Sequence, residues 1–183
     1  MTTPQTIIDF WLRHGPAAWF SRNEALDAEI AADYAELHFK ASRGELSAWE
    51  DTAEGALALL LLLDQFPRNL FRGSAHSYAT DPLARTIAHR ALAKGFDTKV
   101  EAILRPFFYL PFEHSEDMED QRHSVSLFEK HRDETGDAEA LKWAVLHLDL
   151  IERFGRFPHR NSALGRQTTP EEQAYLDQDG FKG

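Results

Sequence analysis

The sequence predicts an all-α fold of about eight or nine helices in antiparallel hairpins. Apolar residues recur every three or four positions, the spacing at which side chains share one face of an α-helix. Ser, Thr, Asp or Asn residues stand where these periodic stretches begin, and Gly residues stand where they end, as helix caps require. No stretch alternates apolar and polar residues with the period of two that a half-buried strand shows. Short links between successive helices favour antiparallel neighbours.

Four helices are predicted in the first half of the chain, and the third of them is the most apolar. Its residues 56–63 are apolar on nearly every side, so we expect it to be a central helix surrounded by the others. Pro67 is expected to interrupt this helix, because proline lacks the backbone N–H that continues a helix. The four predicted helices span residues 3–15, 23–43, 52–65 and 81–95, with Asp81 as the cap of the last.

In the second half, Pro106 and Pro111 are expected to divide an apolar stretch into two short helical pieces with a kink. Ser115 and Asp137 have side chains suited to capping the next two helices. The sequence Thr-Pro-Glu-Glu at residues 169–172 is a capping box that opens a final short helix. The last three predicted helices span residues 115–131, 137–154 and 169 onward.

Length and composition place the chain among ordinary globular proteins. With 183 residues, 43% hydrophobic and 27% charged, we expect one all-α domain over residues 1–183. There are no cysteines, which excludes disulfides, zinc–thiolate sites, iron–sulfur clusters and thiol catalysis. The beginning of the chain lacks the basic and apolar regions of a secretion signal, and the longest apolar run has eight residues where a membrane span needs roughly 20. A cytoplasmic location without membrane association is therefore expected.

The main functional signal is the concentration of six arginines in two short segments, residues 64–73 and 153–166. The whole chain has a formal net charge of -10, whereas residues 151–170 carry four Arg and one Glu. Positive charge kept local in this way predicts an anion site, for a ligand or for the protein's own carboxylates. We expect the two segments to converge on one place in the fold. The acidic net charge argues against nucleic acid as a general partner.

The first segment has Asp64, Arg68 and Arg72 at four-residue spacing. If the helical course continues, all three share a face, Asp64 pairs with Arg68, and Arg72 is left for a ligand. The second segment alternates Arg and Phe around a Gly-Pro break, which predicts a bent loop. Arg is the preferred side chain for bidentate binding of carboxylate or phosphate. The candidate ligand-binding residues are Arg68, Asn69, Arg72, Arg153, Arg156, Arg160, Asn161 and Arg166.

Glu113 and His114 are adjacent, so that a carboxylate and an imidazole can act as acid and base. With His159 they are candidates for proton transfer, although no catalytic residue is assigned. Glu113 and Glu116 can also share a cation, but their spacing matches none of the metalloprotease, carboxylate-bridged or EF-hand patterns, and no metal is expected. No nucleotide-binding signature is present, and no cofactor is expected. His147 lies on an apolar helix and is interpreted as a core residue.

Three long strings carry a resemblance to a known family. They are LLLDQFPRNLFRGSAHSYATD, RPFFYLPFEHSEDMEDQ and HLDLIERFGRFPHRNSALGRQTTPEE. With them the chain resembles the bacterial family called domain of unknown function 924, from IIDFW near the start to TPEEQAYL. The resemblance implies a tetratricopeptide-like all-α fold. It implies no reaction, substrate or cofactor.

Three functions are compatible with these features. The arginine segments can form a pocket for a small anionic ligand, a carboxylate or a phosphate, with or without catalysis. Alternatively, a tetratricopeptide-like face can bind a protein partner through an acidic peptide. As a further alternative, the arginines and carboxylates form an internal ion network that only fixes helix packing. The sequence leaves the oligomeric state open.

Overall fold

The computed structural model describes residues 2–178 and 180–181. These residues form α-helices and short 3-10 or π turns without a β-strand, so the predicted all-α class is confirmed. The tetratricopeptide-like arrangement and the central position of the apolar helix stay predictions. The helices are α1 (Pro4–His14), α2 (Pro16–Trp19), α3 (Glu24–Ser42), α4 (Ala53–Leu60), α5 (Phe66–Leu70), α6 (Asp81–Ala93), α7 (Pro106–Glu113), α8 (Met118–Thr135), α9 (Ala138–Phe154) and α10 (Pro170–Asp177).

Contacts between residues divide the chain into two compact units. Unit 1 consists of Met1–Arg72 and His76–Pro111, and unit 2 consists of Gly73–Ala75 and Phe112–Gly183. The expectation of a single domain stays a prediction. In the part of the chain that the structure describes, no helix has the length and apolar character needed to cross a membrane.

Unit 1 contains the apolar helix that the sequence singles out. All residues of α4 except Glu54 are buried, and α4 packs against α1 and α6. The side chain of Trp11 on α1 is fully buried and contacts the rings of Phe66 and Phe107, at centroid distances of 5.6 and 5.8 Å. Large apolar and aromatic side chains without exposed surface supply most of the stabilisation of such a core.

The prediction that Pro67 interrupts the third helix is wrong. A π-turn over Leu61–Gln65 follows α4 directly and leads into α5, with right-handed helical backbone angles at both junctions. The backbone N–H of Phe66 donates to the carbonyl of Leu61, five residues back instead of four. The helical course therefore continues to Leu70, with Pro67 within the first turn of α5, where a missing N–H is tolerated.

Side chains from other elements bond two carbonyls that Pro67 leaves without a helical donor. Pro67 has no N–H to donate to Leu63 in an α pattern or to Leu62 in a π pattern. The Leu62 carbonyl lies 2.8 Å from His38 Nδ1, and the Leu63 carbonyl accepts a bond of 2.5 Å from Thr80 Oγ1. Buried polar groups are thereby satisfied, which explains how an apolar helix accommodates this irregular turn.

Unit 2 contains a helical hairpin followed by a loop and a short helix. The hairpin consists of α8 and α9, which pack against each other and are joined by Gly136 and Asp137. Gly136 has φ 82°, the left-handed conformation that glycine adopts without strain, and Asp137 caps α9 as predicted. After α9 the chain turns at Phe157, which is fully buried against Leu150 and Ile151.

Several predicted helix limits need correction. Asp117, not Ser115, caps α8, and the Ser115 hydroxyl instead donates to Asp120 Oδ2 at 2.6 Å. The break in the proline-rich stretch comes before Pro106, and α7 continues through Pro111. Asp81 is the first residue of α6 and not its cap. The capping box at residues 169–172 is confirmed, because Thr169 and Glu172 bond each other's backbone N–H.

Candidate functional site

Arg68 of the first arginine segment lies between two buried carboxylates of unit 1. Its Nη1 and Nη2 each donate to a different oxygen of Asp81 at 3.0 Å, and Nη1 lies 3.4 Å from Asp64 Oδ1. The predicted pairing of Asp64 with Arg68 is therefore confirmed. Burial by itself lowers the pKa of Arg68, but the two carboxylates outweigh it and hold the pKa above its usual value. This guanidinium stays charged and is bound by its own chain.

Arg72 is also paired, which contradicts the expectation that it is left for a ligand. Its Nε and Nη2 donate to the two oxygens of Asp27 at 2.7 and 2.9 Å, and Asn69 Nδ2 donates to the same carboxylate at 2.8 Å. Partial burial raises the pKa of Asp27, but the bonds from Arg72 and Asn69 outweigh it and bring the pKa below its usual value. All three residues belong to unit 1.

In unit 2, the loop after α9 is held by the carboxylate of Glu172. Arg156 donates to both of its oxygens at 2.6 and 2.8 Å, Asn161 Nδ2 donates at 3.1 Å, and the Thr169 backbone N–H donates at 2.8 Å. These bonds, the one from Arg156 above all, lower the pKa of Glu172 to about 2. Arg153 pairs at the surface with Glu171 at 3.2 Å.

A second carboxylate, Glu116, holds the other side of the same loop. Arg166 donates to both oxygens of Glu116 at 2.7 and 3.0 Å, and the Phe157 backbone N–H donates at 2.8 Å. Arg166 also donates to the Asn161 side-chain oxygen at 2.9 Å, which links the two carboxylates. Burial raises the pKa of Glu116, but the bonds from Arg166 and Phe157 outweigh it, so the pKa lies below its usual value.

The proton-transfer candidates of the sequence come together in unit 2 around His147. Glu113 Oε1 lies 3.2 Å from His147 Nδ1, and both side chains are buried. The ring of His114 lies 6.3 Å from that of His147. The rings of His147 and His159 each contact the buried ring of Phe157, at 5.4 and 5.6 Å. The interpretation of His147 as a core residue did not predict its contact with Glu113.

Arg160 is the predicted arginine that lies in this cluster. It is 6% exposed, its guanidinium carbon lies 4.5 Å from the centre of the Phe157 ring, and its Nη1 donates to the His114 carbonyl at 3.0 Å. A buried cation stacked on an aromatic ring is stabilised by the ring's electrons. We call Glu113, His114, His147, His159 and Arg160 the histidine cluster.

Gln121 on α8 fixes the turn that carries Glu113 and His114. It is fully buried, and its Nε2 donates to the carbonyls of Glu113 and Ser115, both at 2.6 Å. Arg160 bonds the carbonyl between them, that of His114. The backbone from 113 to 115 is thus held from two sides, which orients the Glu113 carboxylate toward α9.

A different surface feature, in unit 1, does not suit an anion. A cavity of about 380 Å³ is lined by residues of α1 and α3, among them Asp9, Glu29 and Asp33, with Arg13 as a basic residue. None of the predicted ligand-binding residues lines it. Within residues 2–178 and 180–181, no group of three or more His, Asp or Glu side chains is arranged to hold a metal ion.

Comparison with known proteins places the chain in a family. The model of a family described as bacterial protein of unknown function (DUF924) matches residues 7–180. The chain belongs to this family. A solved structure of a protein of unknown function from Agrobacterium tumefaciens is similar, with 48% sequence identity and a TM-score of 0.90, over 96% of this chain and 97% of that one. A search of curated proteins finds no match.

Neither family membership nor the fold tests the prediction that the two arginine segments converge on one place. Arg68 and Arg72 belong to unit 1, whereas Arg156 and Arg160 belong to unit 2. Their meeting at one site stays a prediction. Within unit 2, however, Arg160 and the three proton-transfer candidates lie in one cluster.

Proposed function

We propose that unit 2 binds a small anionic ligand, a carboxylate or a phosphate, at the histidine cluster, and that His147 exchanges a proton there. The buried contact between Glu113 and His147 is the observation that carries this proposal. A buried carboxylate beside a buried imidazole is a typical arrangement for proton transfer near neutral pH. Burying charged groups costs free energy that a core of apolar residues avoids, so charged groups at this position suggest a function.

The hydrogen bonds of His147 support a defined role for each ring nitrogen. Nδ1 lies 2.8 Å from the Trp143 carbonyl as well as 3.2 Å from Glu113. Because a carbonyl oxygen only accepts, Nδ1 carries a hydrogen, and Nε2 is the nitrogen that gains or loses a proton when the ring titrates. Glu113 orients the ring and stabilises the imidazolium, as carboxylates do in many catalytic histidine pairs.

Arg160 supports an anionic ligand rather than a neutral one. A guanidinium keeps its charge under all physiological conditions and binds two oxygens of a carboxylate or phosphate at once. Its place in the cluster, over Phe157 and beside the His114 backbone, puts this charge near the imidazoles. The ligand would then be held by Arg160 while His147 acts on it.

For Arg68, Arg72, Arg156 and Arg166 we propose a structural role, because each bonds a carboxylate of its own unit. Arg68, Arg72, Arg156 and Arg166 form bidentate or paired bonds with Asp81, Asp27, Glu172 and Glu116 respectively. Such bonds occupy the donors that a ligand would need. A role as a protein-interaction module stays an alternative prediction.

A thermal-shift screen tests the proposed site with inorganic phosphate and a panel of phosphorylated and carboxylated metabolites. We expect at least one compound to raise the Tm of the wild-type protein and not that of Arg160→Gln, which lacks the guanidinium that is proposed to hold the ligand. Arg153→Gln is the matched control, because Arg153 pairs with Glu171 at the surface and is not a member of the histidine cluster, and it should respond like the wild type. A panel that stabilises nothing, or that stabilises all three proteins equally, would contradict the proposal.

A further inference from the structure

Phe181, in the segment after α10, covers two histidines of the cluster. Its ring lies 4.8 Å from that of His147 and 5.1 Å from that of His159, in edge-to-face arrangements with angles of 68° and 89°. It also contacts Trp143 at 5.9 Å. An aromatic side chain from outside the helical hairpin therefore shields the imidazoles that the proposed function uses.

The fold-back that brings Phe181 to this place is built by specific contacts with Tyr175. The Gly180 N–H donates to the Tyr175 carbonyl at 3.1 Å, and the Phe181 N–H donates to the Tyr175 hydroxyl at 2.8 Å. A Cβ on residue 180 would stand 2.5 Å from atoms of Tyr175. Only glycine allows the backbone to approach this closely, so the sequence favours the covered arrangement.

We propose that Phe181 is a removable cover of His147 and His159, which controls access to the cluster. Phe181 is half-buried: its ring packs against the core of Leu150, Ile151 and Phe157, and its backbone N–H donates to Tyr175, whereas Phe157 beneath is fully buried. Half-buried segments outside the helices open locally while the rest of the fold stays intact. A ligand reaches the imidazoles when Phe181 leaves them. The role of Phe181 in ligand access rests on the proposed function, whereas its covering of the two imidazoles does not.

Chemical modification of histidines in the full chain tests the cover without any ligand. Diethyl pyrocarbonate acylates accessible neutral imidazoles, and mass spectrometry resolves the rate at each histidine. In Phe181→Ala we expect the rates at His147 and His159 to rise at least about tenfold, because several edge-to-face contacts are lost together. The rate at His123, which is exposed, should not change.

Two further variants separate the cover from general destabilisation. Gly180→Val keeps the Phe181 ring but obstructs the fold-back, and it should raise the same two rates. Phe20→Ala removes a ring that is 67% exposed in unit 1 and should leave them unchanged. Unchanged rates at His147 and His159 in both Phe181→Ala and Gly180→Val would overturn the cover. Because this experiment uses no ligand, its result does not test the anion site, which the thermal-shift screen tests separately.

Discussion

Replacing Glu172 by Gln tests whether the carboxylates of unit 2 hold its basic loop. Glu172 is buried and accepts bonds from Arg156, Asn161 and Thr169, and its pKa is about 2 instead of the ordinary 4.5. A depressed pKa contributes stability that is complete above pH 4.5 and is lost as the pH falls toward 2. The lowered pKa corresponds to a contribution to the free energy of unfolding of about 3 kcal/mol at pH 7 and of about 1 kcal/mol at pH 3.

Urea denaturation of the wild type and of Glu172→Gln at both pH values measures this difference. We expect the variant to be less stable by about 3 kcal/mol at pH 7 and by only about 1 kcal/mol at pH 3. Glu171→Gln is the matched control, since Glu171 pairs only at the surface, and its effect should stay within about 1 kcal/mol. A loss in Glu172→Gln that is small at pH 7, or the same at both pH values, would refute the reasoning.

Three further predictions concern buried groups elsewhere. Gly55→Ala should destabilise the protein by about 1–3 kcal/mol in urea denaturation, because the added Cβ would stand 2.1 Å from the Trp49 carbonyl; Glu54→Ala is the exposed control. Burial lowers the pKa of His38, so the free energy of unfolding should fall as the pH drops below 6.5. His38→Gln should lose less of this free energy than the wild type between pH 7 and pH 5. Ser124 Oγ is fully buried and has no hydrogen-bond partner among the described residues, so Ser124→Ala should raise stability by about 0.5–1 kcal/mol; a loss would show that the hydroxyl is bonded.

Local signals in the sequence predicted most of the helices, because caps act within a few residues. Asn23, Asp137 and Thr169 cap their helices through bonds to backbone N–H groups two or three positions away. The prediction failed at Pro67 because the carbonyls that lack a donor are bonded by distant side chains. It failed at Ser115 because Asp117, two residues later, offers a carboxylate to the same end of the helix.

The candidate site was harder to predict because its pairs are distant in the chain. Asp27 and Arg72 are separated by 45 positions, and nothing near either residue indicates the other. The local positive charge after α9 predicts contacts with carboxylates. Glu171 and Glu172 follow directly in the sequence, whereas Glu116 comes from the end of a different helix. Glu113, His114 and His159 could be selected by residue type alone, whereas His147 needed the packing of α9 beside the turn at Glu113.

The response of the ring nitrogens of His147 and His159 to anions tests the proposed site most directly. Long-range 1H–15N NMR spectra would be recorded with and without millimolar inorganic phosphate or acetate, on the wild type and on Glu113→Gln. We predict that the signals of both rings move in the wild type and that the response weakens in the variant. Signals that stay fixed with both anions, while that of His123 moves, would contradict it.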